Sequence, residues 1–446
     1  MVENVPKIVV TPPGPKAKEI IEESKKYLAT TTRDIPLVIS KMENDLIYDV
    51  DGNIYIDFAA GIAVANVGHR NKEVVKAIRE QLEYYIHSAP HDFFDTLQYK
   101  LARKLAEITP GSFQKKVFFG NSGAEANEAA IKIAKIATGR PRLIAFVGSF
   151  HGRTHGSLAL TASKPIHQKG FFSTIPGVEH APYAYCYRCP FKLEPENCGT
   201  ACLSYIEDYM FRHYVPPEEV AAIFVEPMAG EGGYVVPPKS FIQGIRRICD
   251  ENGILMIVDE VQAGFCRTGK MFAIEHFDVV PDVITVAKSI ADGLPLSATI
   301  IREDLDFKHS GSHSSTFGGN ALALAAALKN IEYLEKNNIC QRVQRLGEIV
   351  LKRLNEEKER SSIIGDVRGL GLMIGVELVK DKEKKTIAPE FKEKVVMAAL
   401  KRGLVLLPTG LSGIRIAPPL TIEEDHLIKG LEILIDIIKD LERGRI

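Results

Sequence analysis

The sequence predicts an α/β chain with a large domain built on a mostly parallel central sheet and a smaller α+β domain assembled from both termini. Three observations predict it. Helical stretches alternate with short apolar runs from about residue 70 to 330. The apolar runs are continuous, as buried parallel strands are, and the alternation stops where a long amphipathic helix begins near residue 321.

The N-terminal segment carries a strand pair around Ile47 to Tyr48 and Ile54 to Asp57, with Asp51-Gly52-Asn53 as the hairpin turn between them. Helical periodicity follows over Asn71 to Tyr85 and Gly123 to Ala137. The runs Ala221 to Val225, Gly253 to Val258 and Val283 to Ala287 read as strands, and each is followed at once by charge: Glu226, Asp259 with Glu260, and Lys288. Open α/β sheets collect ligands at the carboxyl ends of their strands, so three such endings together predict a polar site. Ala321 to Lys336 reads as a helix, with strands over Gly371 to Leu378 and Leu404 to Pro408 beyond it. The expected layout is residues 1–69 in the small domain, 70–330 as the large domain and 331–446 completing the small one.

Composition narrows the partners. A chain of 446 residues, 45% hydrophobic and 25% charged, buries a substantial core. Lys plus Arg number 56 against 57 Asp plus Glu, a balance that advertises neither nucleic acid nor an anionic membrane and leaves small metabolites as ligands. The N-terminal residues, with Pro12-Pro13-Gly14-Pro15, lack the apolar centre of a signal peptide, and no apolar run has bilayer length, so the expected location is cytoplasmic. Seven cysteines are too few for a disulfide scaffold. Four of them cluster as Cys186, Cys189, Cys198 and Cys202, a spacing open to zinc, disulfides or free thiols; free thiols are the expectation, with no metal.

Lys288 follows an apolar strand and precedes a stretch stopped by Gly293 and Pro295, which directs its amine to a cavity if partners are near; alone it reads as a surface charge. Asp259 ends the preceding strand, either as a turn cap or as a carboxylate holding a protonated ring nitrogen. Asn121-Ser122-Gly123-Ala124-Glu125 opens a helix directly after an apolar strand, which suits both a capping box and a phosphate site on free amides.

On these residues the chain resembles the class III aminotransferases of pyridoxal-phosphate (PLP) fold type I, nearest the 4-aminobutyrate and ornithine branch. The likeness runs through Asp57 to Val64, Asn121 to Ala126, Phe150 to Thr154, Glu226-Pro227, Gly230 to Gly233, Asp259 to Gln262, Ala287 to Ser289, Thr316 to Asn320 and Arg415 to Pro419. The resemblance implies that Lys288 forms a Schiff base with PLP and afterwards shuttles the proton. It implies further that Asp259 holds the ring nitrogen, that Ser122, Gly123 and Ala124 bind the phosphate, that Phe150 stacks on the ring with His151 beside it, and that Gln262 meets the ring hydroxyl. Thr316 would reach the cofactor of a partner subunit, in a homodimer or a higher oligomer built from it. Arg153 and Arg415 would clamp carboxylates of amino acid and 2-oxo acid substrates, with Glu231 neutralising the second arginine.

Ile62 stands where aminobutyrate-type relatives carry isoleucine and ornithine-specific ones tyrosine. Asp292 departs from a family glycine, either adding charge near the site or capping a turn, and Met228-Ala229 is a further departure. The implied reaction is transfer of an amino group from an amino or omega-amino acid to a 2-oxo acid such as 2-oxoglutarate. A racemase or epimerase on the same scaffold is the alternative, and a non-catalytic zinc or nucleotide-binding scaffold the reading from another class.

Overall fold

The computed structural model describes residues 5–171 and 175–446. The chain divides into two compact units, residues 72–344 and residues 1–71 with 345–446.

Three strands precede the larger unit: β1 (Ile39–Glu43), β2 (Leu46–Asp49) and β3 (Ile54–Asp57). The larger unit holds β4 (Lys115–Gly120), β5 (Arg142–Val147), β6 (Val178–Pro182), β7 (Val220–Val225), β8 (Leu255–Asp259), β9 (Val283–Val286) and β10 (Ser297–Arg302). These seven form one sheet in the order β4-β10-β9-β8-β7-β5-β6. The neighbours β9, β8, β7, β5 and β6 pair in parallel, while β10 runs antiparallel to both β9 and β4. The carboxyl ends of β4, β5, β7, β8 and β9 therefore share one edge, and every residue of β7, β8 and β9 is buried. Such strands read as continuous apolar runs because both faces are covered. Ala130, Ile133 and Ala134 of the helix Gly123–Thr138 belong to that core with Leu143, Phe224 and Ile257.

Several boundaries differ from expectation: the helix expected over Asn71 to Tyr85 spans Lys72–Leu82, the strand expected from Gly371 starts at Met373, and the one expected over Leu404 to Pro408 is two strands, Leu404–Val405 and Leu407–Thr409. Two further differences have a clear cause. Gly253 does not open a strand: at φ 62° it is the left-handed cap of the helix Lys239–Asn252, its amide bonded to the Cys249 carbonyl, and the strand starts at Leu255. The larger unit also runs past residue 330 to Gln344, because the helix Ala321–Lys336 packs on the helices Lys72–Leu82 and Thr96–Ile108. A disulfide joins Cys266 to Cys340 within this unit, a pairing absent from the sequence reading.

The smaller unit contains β11 (Ile364–Leu370), β12 (Met373–Asp381), β13 (Thr386–Ile387), β14 (Leu404–Val405), β15 (Leu407–Thr409) and β16 (Gly413–Ile416). One sheet has the order β1-β2-β3-β14, so strands from both ends of the chain pair, Leu404 lying opposite Ile56. The other has the order β11-β12-β16-β15, with β13 beside β12. The turn between β2 and β3 places Gly52 at φ 93°, and Asp49 Oδ1 accepts the amides of Asp51 and Asn53. No helix among the described residues is long and apolar enough to cross a membrane.

Candidate active site

The shared edge of the large sheet gathers most of the residues singled out from sequence. Asp259 closes β8 and is almost fully buried. Its Oδ2 accepts from His151 Nδ1 at 2.7 Å and from Asn127 Nδ2 at 2.8 Å, and its Oδ1 accepts the Val261 amide at 2.9 Å. Asn127 is itself held, donating to the His151 carbonyl at 2.8 Å and accepting from Thr285 Oγ1 at 2.9 Å. Burial works to lower the His151 pKa, but the hydrogen bond and charge of Asp259, with Glu226 behind them, outweigh it and the net shift is upward. His151 Nε2 is buried with no hydrogen-bond partner among the described residues. Asn127 and Thr285 escaped the sequence reading, since nothing local marks an asparagine inside a helix and a threonine inside a strand as partners of a carboxylate elsewhere.

Lys288 follows β9, one strand from Asp259, and is half-buried. Its φ is 43°, left-handed backbone that ordinary side chains seldom adopt. The turn it opens is gripped from the helix Ala321–Lys336, where buried Asn330 donates to the carbonyls of Ser289 at 2.7 Å and Ile290 at 3.0 Å. Asp292 caps that turn at φ 47°, a conformation that favours glycine and is tolerated by aspartate.

Ser122 caps the helix Gly123–Thr138, its Oγ accepting the Glu125 amide at 3.3 Å, while Glu125 Oε2 accepts from the Asn121 amide at 2.6 Å. That cap leaves the first-turn amides of Gly123 and Ala124, which have no carbonyl one turn back, at the positive end of a 16-residue helix. A Cβ on Gly123 would stand 2.8 Å from Val261 Cγ1, so only glycine lets the backbone lie that close to the loop after β8. Capping and anion-binding geometry thus coexist here.

Phe150 and Gln262 complete the edge. The Phe150 amide donates to Glu226 Oε1 at 2.8 Å, and its ring lies 5.0 Å from the Arg153 guanidinium and 5.3 Å from His167. Gln262 Oε1 accepts from Tyr234 at 2.8 Å. Glu231 lies 3.9 Å from Lys164. Burial, then Arg153 and Lys164, lower the His167 pKa. Glu260, by contrast, turns away from Asp259 to accept the amides of Ala273 and Ile274, and burial pushes its pKa up to about 8.

Thr316 is exposed; its neighbour Ser315 accepts from Asn121 Nδ2 at 3.2 Å. Ile62 and Arg415 belong to the smaller unit, Ile62 exposed at φ 68° and Arg415 buried in β16. The cysteine cluster forms a separate feature. Cys186, Cys189, Cys198 and Cys202 are free thiols lining a cavity of about 30 Å³, and burial pushes Cys202 up to about 11. Among the described residues no group of three His, Cys, Asp or Glu side chains is placed to hold a metal.

The residues present fit PLP. A carboxylate fixed by three donors stands one strand from an amine on a constrained turn, and a glycine-faced helix start offers amides to a phosphate.

Residues 27–438 match the family described as aminotransferase class-III. The chain is 43% identical to a leucine/methionine racemase of Thermococcus litoralis, over 97% of each chain. It is 41% identical to a probable 4-aminobutyrate aminotransferase of Bacillus subtilis, covering 88% of this chain and 91% of that one. Among solved structures, a Bacillus anthracis aminotransferase superposes with a TM-score of 0.87 at 32% identity, over 95% of this chain and 98% of that one.

Proposed function

The chain belongs to the class-III aminotransferase family and is a PLP-dependent enzyme of that family, and from that premise we propose how its residues move an amino group from an amino or omega-amino acid to a 2-oxo acid. PLP, when bound, supplies an aldehyde that links to amines and a ring that withdraws electrons from the substrate carbon. Lys288 is the amine that binds it covalently. With its amine free, Lys288 Nζ would take a proton from the substrate carbon and return it at another atom, as a general base and then acid. Asp259 holds the ring nitrogen in its protonated form, and its orientation is fixed by His151, Asn127 and the Val261 amide. Ser122, Gly123 and Ala124 would hold the PLP phosphate, and Phe150, His151 and Gln262 would hold its ring. The observation that carries this reading is the Asp259 carboxylate held by three donors beside the strand that delivers Lys288.

Arg153, Arg415, Glu231 and Ile62 define substrate choice, with Arg153 beside Phe150 and Glu231 set against Lys164. The probable 4-aminobutyrate aminotransferase of Bacillus subtilis supports 4-aminobutyrate as the amino donor; ornithine or a similar donor, and 2-oxoglutarate as acceptor, are proposed on the family resemblance. A homodimer is proposed with it, Thr316 serving the partner's cofactor. It is supported by the exposed apolar side chains Tyr84, Ile86, Phe93, Phe94, Tyr99 and Phe317 on the larger unit, with Phe317 against His87 at 5.4 Å. A cytoplasmic location goes with small-metabolite substrates.

The Thermococcus litoralis relative favours a second reading, in which the proton returns to its original carbon from the opposite face. Incubation with single L-amino acids, with and without 2-oxoglutarate, separates the two. Amine exchange that requires the oxo acid supports transfer; inversion of leucine or alanine without it replaces transfer by racemisation.

A further inference from the structure

Glu226 directly follows β7 and is almost fully buried, yet it has no part in the chemistry assigned above. Its two carboxyl oxygens face two different loops: Oε1 accepts the Phe150 amide at 2.8 Å and Oε2 accepts the Gly230 amide at 2.7 Å. The first loop follows β5 and carries Phe150, His151 and Arg153. The second is a compact loop closed at its base by paired amide-to-carbonyl bonds between Ala229 and Val235, both 3.0 Å, with Glu231 at its tip. Tyr234 of the same loop holds Gln262. The loops also touch directly, since a Cβ on Gly232 would stand 2.5 Å from the Gly148 carbonyl oxygen.

We propose that Glu226 is a positioning residue: by bonding one oxygen to each loop, it fixes the ring-facing Phe150 relative to the substrate-facing Glu231. This rests on the roles proposed for Phe150 and Glu231.

The chemistry of the carboxyl group explains why a glutamate suits this place. An ionised carboxylate offers an acceptor to each amide, and both bonds are charge-assisted. Protonation turns one oxygen into a donor that faces an N–H, and Gln substitution does the same with its NH2, so either change keeps one loop and releases the other. The groups facing Glu226 are His151 and Asp259, with Tyr183 donating to the Glu226 main-chain carbonyl at 2.9 Å. Burial raises the Glu226 pKa to about 7, with Asp259 adding to the rise and His151 and the two amides opposing it. The link between the loops therefore changes near neutral pH.

The test uses the full chain with Glu226→Gln and Glu226→Ala. In hydrogen-exchange measurements without cofactor, segments 148–153 and 229–235 exchange at least 5-fold faster in Glu226→Ala, at least one of them does so in Glu226→Gln, and the helix Ala321–Lys336 is unchanged in both. In the loaded enzyme, Glu226→Gln raises KM for the amino donor about 10-fold with a smaller change in kcat, and removes an ionisation near pH 7 from the wild-type kcat/KM profile. Wild-type exchange in both segments of both variants, exchange that quickens across the whole chain, or an unchanged KM and pH profile overturns the proposal. Failure of the cofactor reading appears separately, as absence of a covalent adduct at Lys288, and leaves the exchange result standing.

Discussion

Asn330 offers a stringent test of how the fold positions Lys288. Its Nδ2 donates to the carbonyls of Ser289 and Ile290, and the residue is fully buried. Asn330→Leu keeps a similar volume and removes both bonds. Each carbonyl then loses its donor in the interior, at about 1 to 2 kcal/mol apiece, so the change costs about 2 to 4 kcal/mol. A second effect follows from the backbone. Lys288 sits at φ 43°, a conformation costing about 1 to 2 kcal/mol that persists only while its surroundings impose it. For a chain of 446 residues, an unfolding entropy of roughly 2 cal/mol/K per residue converts the stability loss to a fall in Tm of about 2 to 4 °C. The assay is thermal unfolding without cofactor, together with the fraction of Lys288 trapped by borohydride at a fixed, subsaturating PLP concentration. Both should fall, whereas Asn337→Ala at the exposed end of the same helix should leave both unchanged. An Asn330→Leu protein with wild-type Tm and full trapping would refute the reasoning.

Other outcomes follow from the same geometry. Gly123→Ala places a methyl against Val261 and across the helix start, and should weaken PLP binding at least 10-fold by titration while leaving the helix content by circular dichroism intact. Asp259→Asn removes the charge shared with His151 and should lower kcat at least 100-fold, measured in single-turnover half-reactions. Glu260 has its folded-state pKa raised from 4.5 to about 8 by burial, so its contribution to stability is full below pH 4.5 and is lost as pH rises through 8; Glu260→Gln should flatten the decline in Tm over that window. The Cys266–Cys340 bridge spans 74 residues and should contribute about 4 kcal/mol through loop closure, read as a drop in Tm in Cys340→Ser and in the reduced wild type.

The large sheet was legible because its parallel strands are buried on both faces and so leave unbroken apolar runs ending in charge. Asp259 and Lys288 came directly from that punctuation. Gly253 is the exception, because the helix Lys239–Asn252 ends at the glycine that precedes the strand, and a glycine before an apolar run reads equally as a strand start. The antiparallel β10 and the edge strand β4 went unassigned as a pair, since register between residues such as Ser297 and Gly120 is set by tertiary pairing. The residues that orient the site were the least visible. Asn127 lies 132 residues from Asp259, and Asn330 lies 41 from Ser289, so neither spacing nor composition links them. The Cys266 to Cys340 bridge was hidden for the same reason, while the four clustered thiols drew notice because they are close in sequence.

The most direct measurement is peptide mapping of the PLP-loaded protein after borohydride reduction. The expected result is loss of the visible absorption band and one pyridoxyl group, on Lys288, with none in Lys288→Ala and no turnover by that variant. A pyridoxyl group on another lysine, or turnover retained by Lys288→Ala, would contradict it.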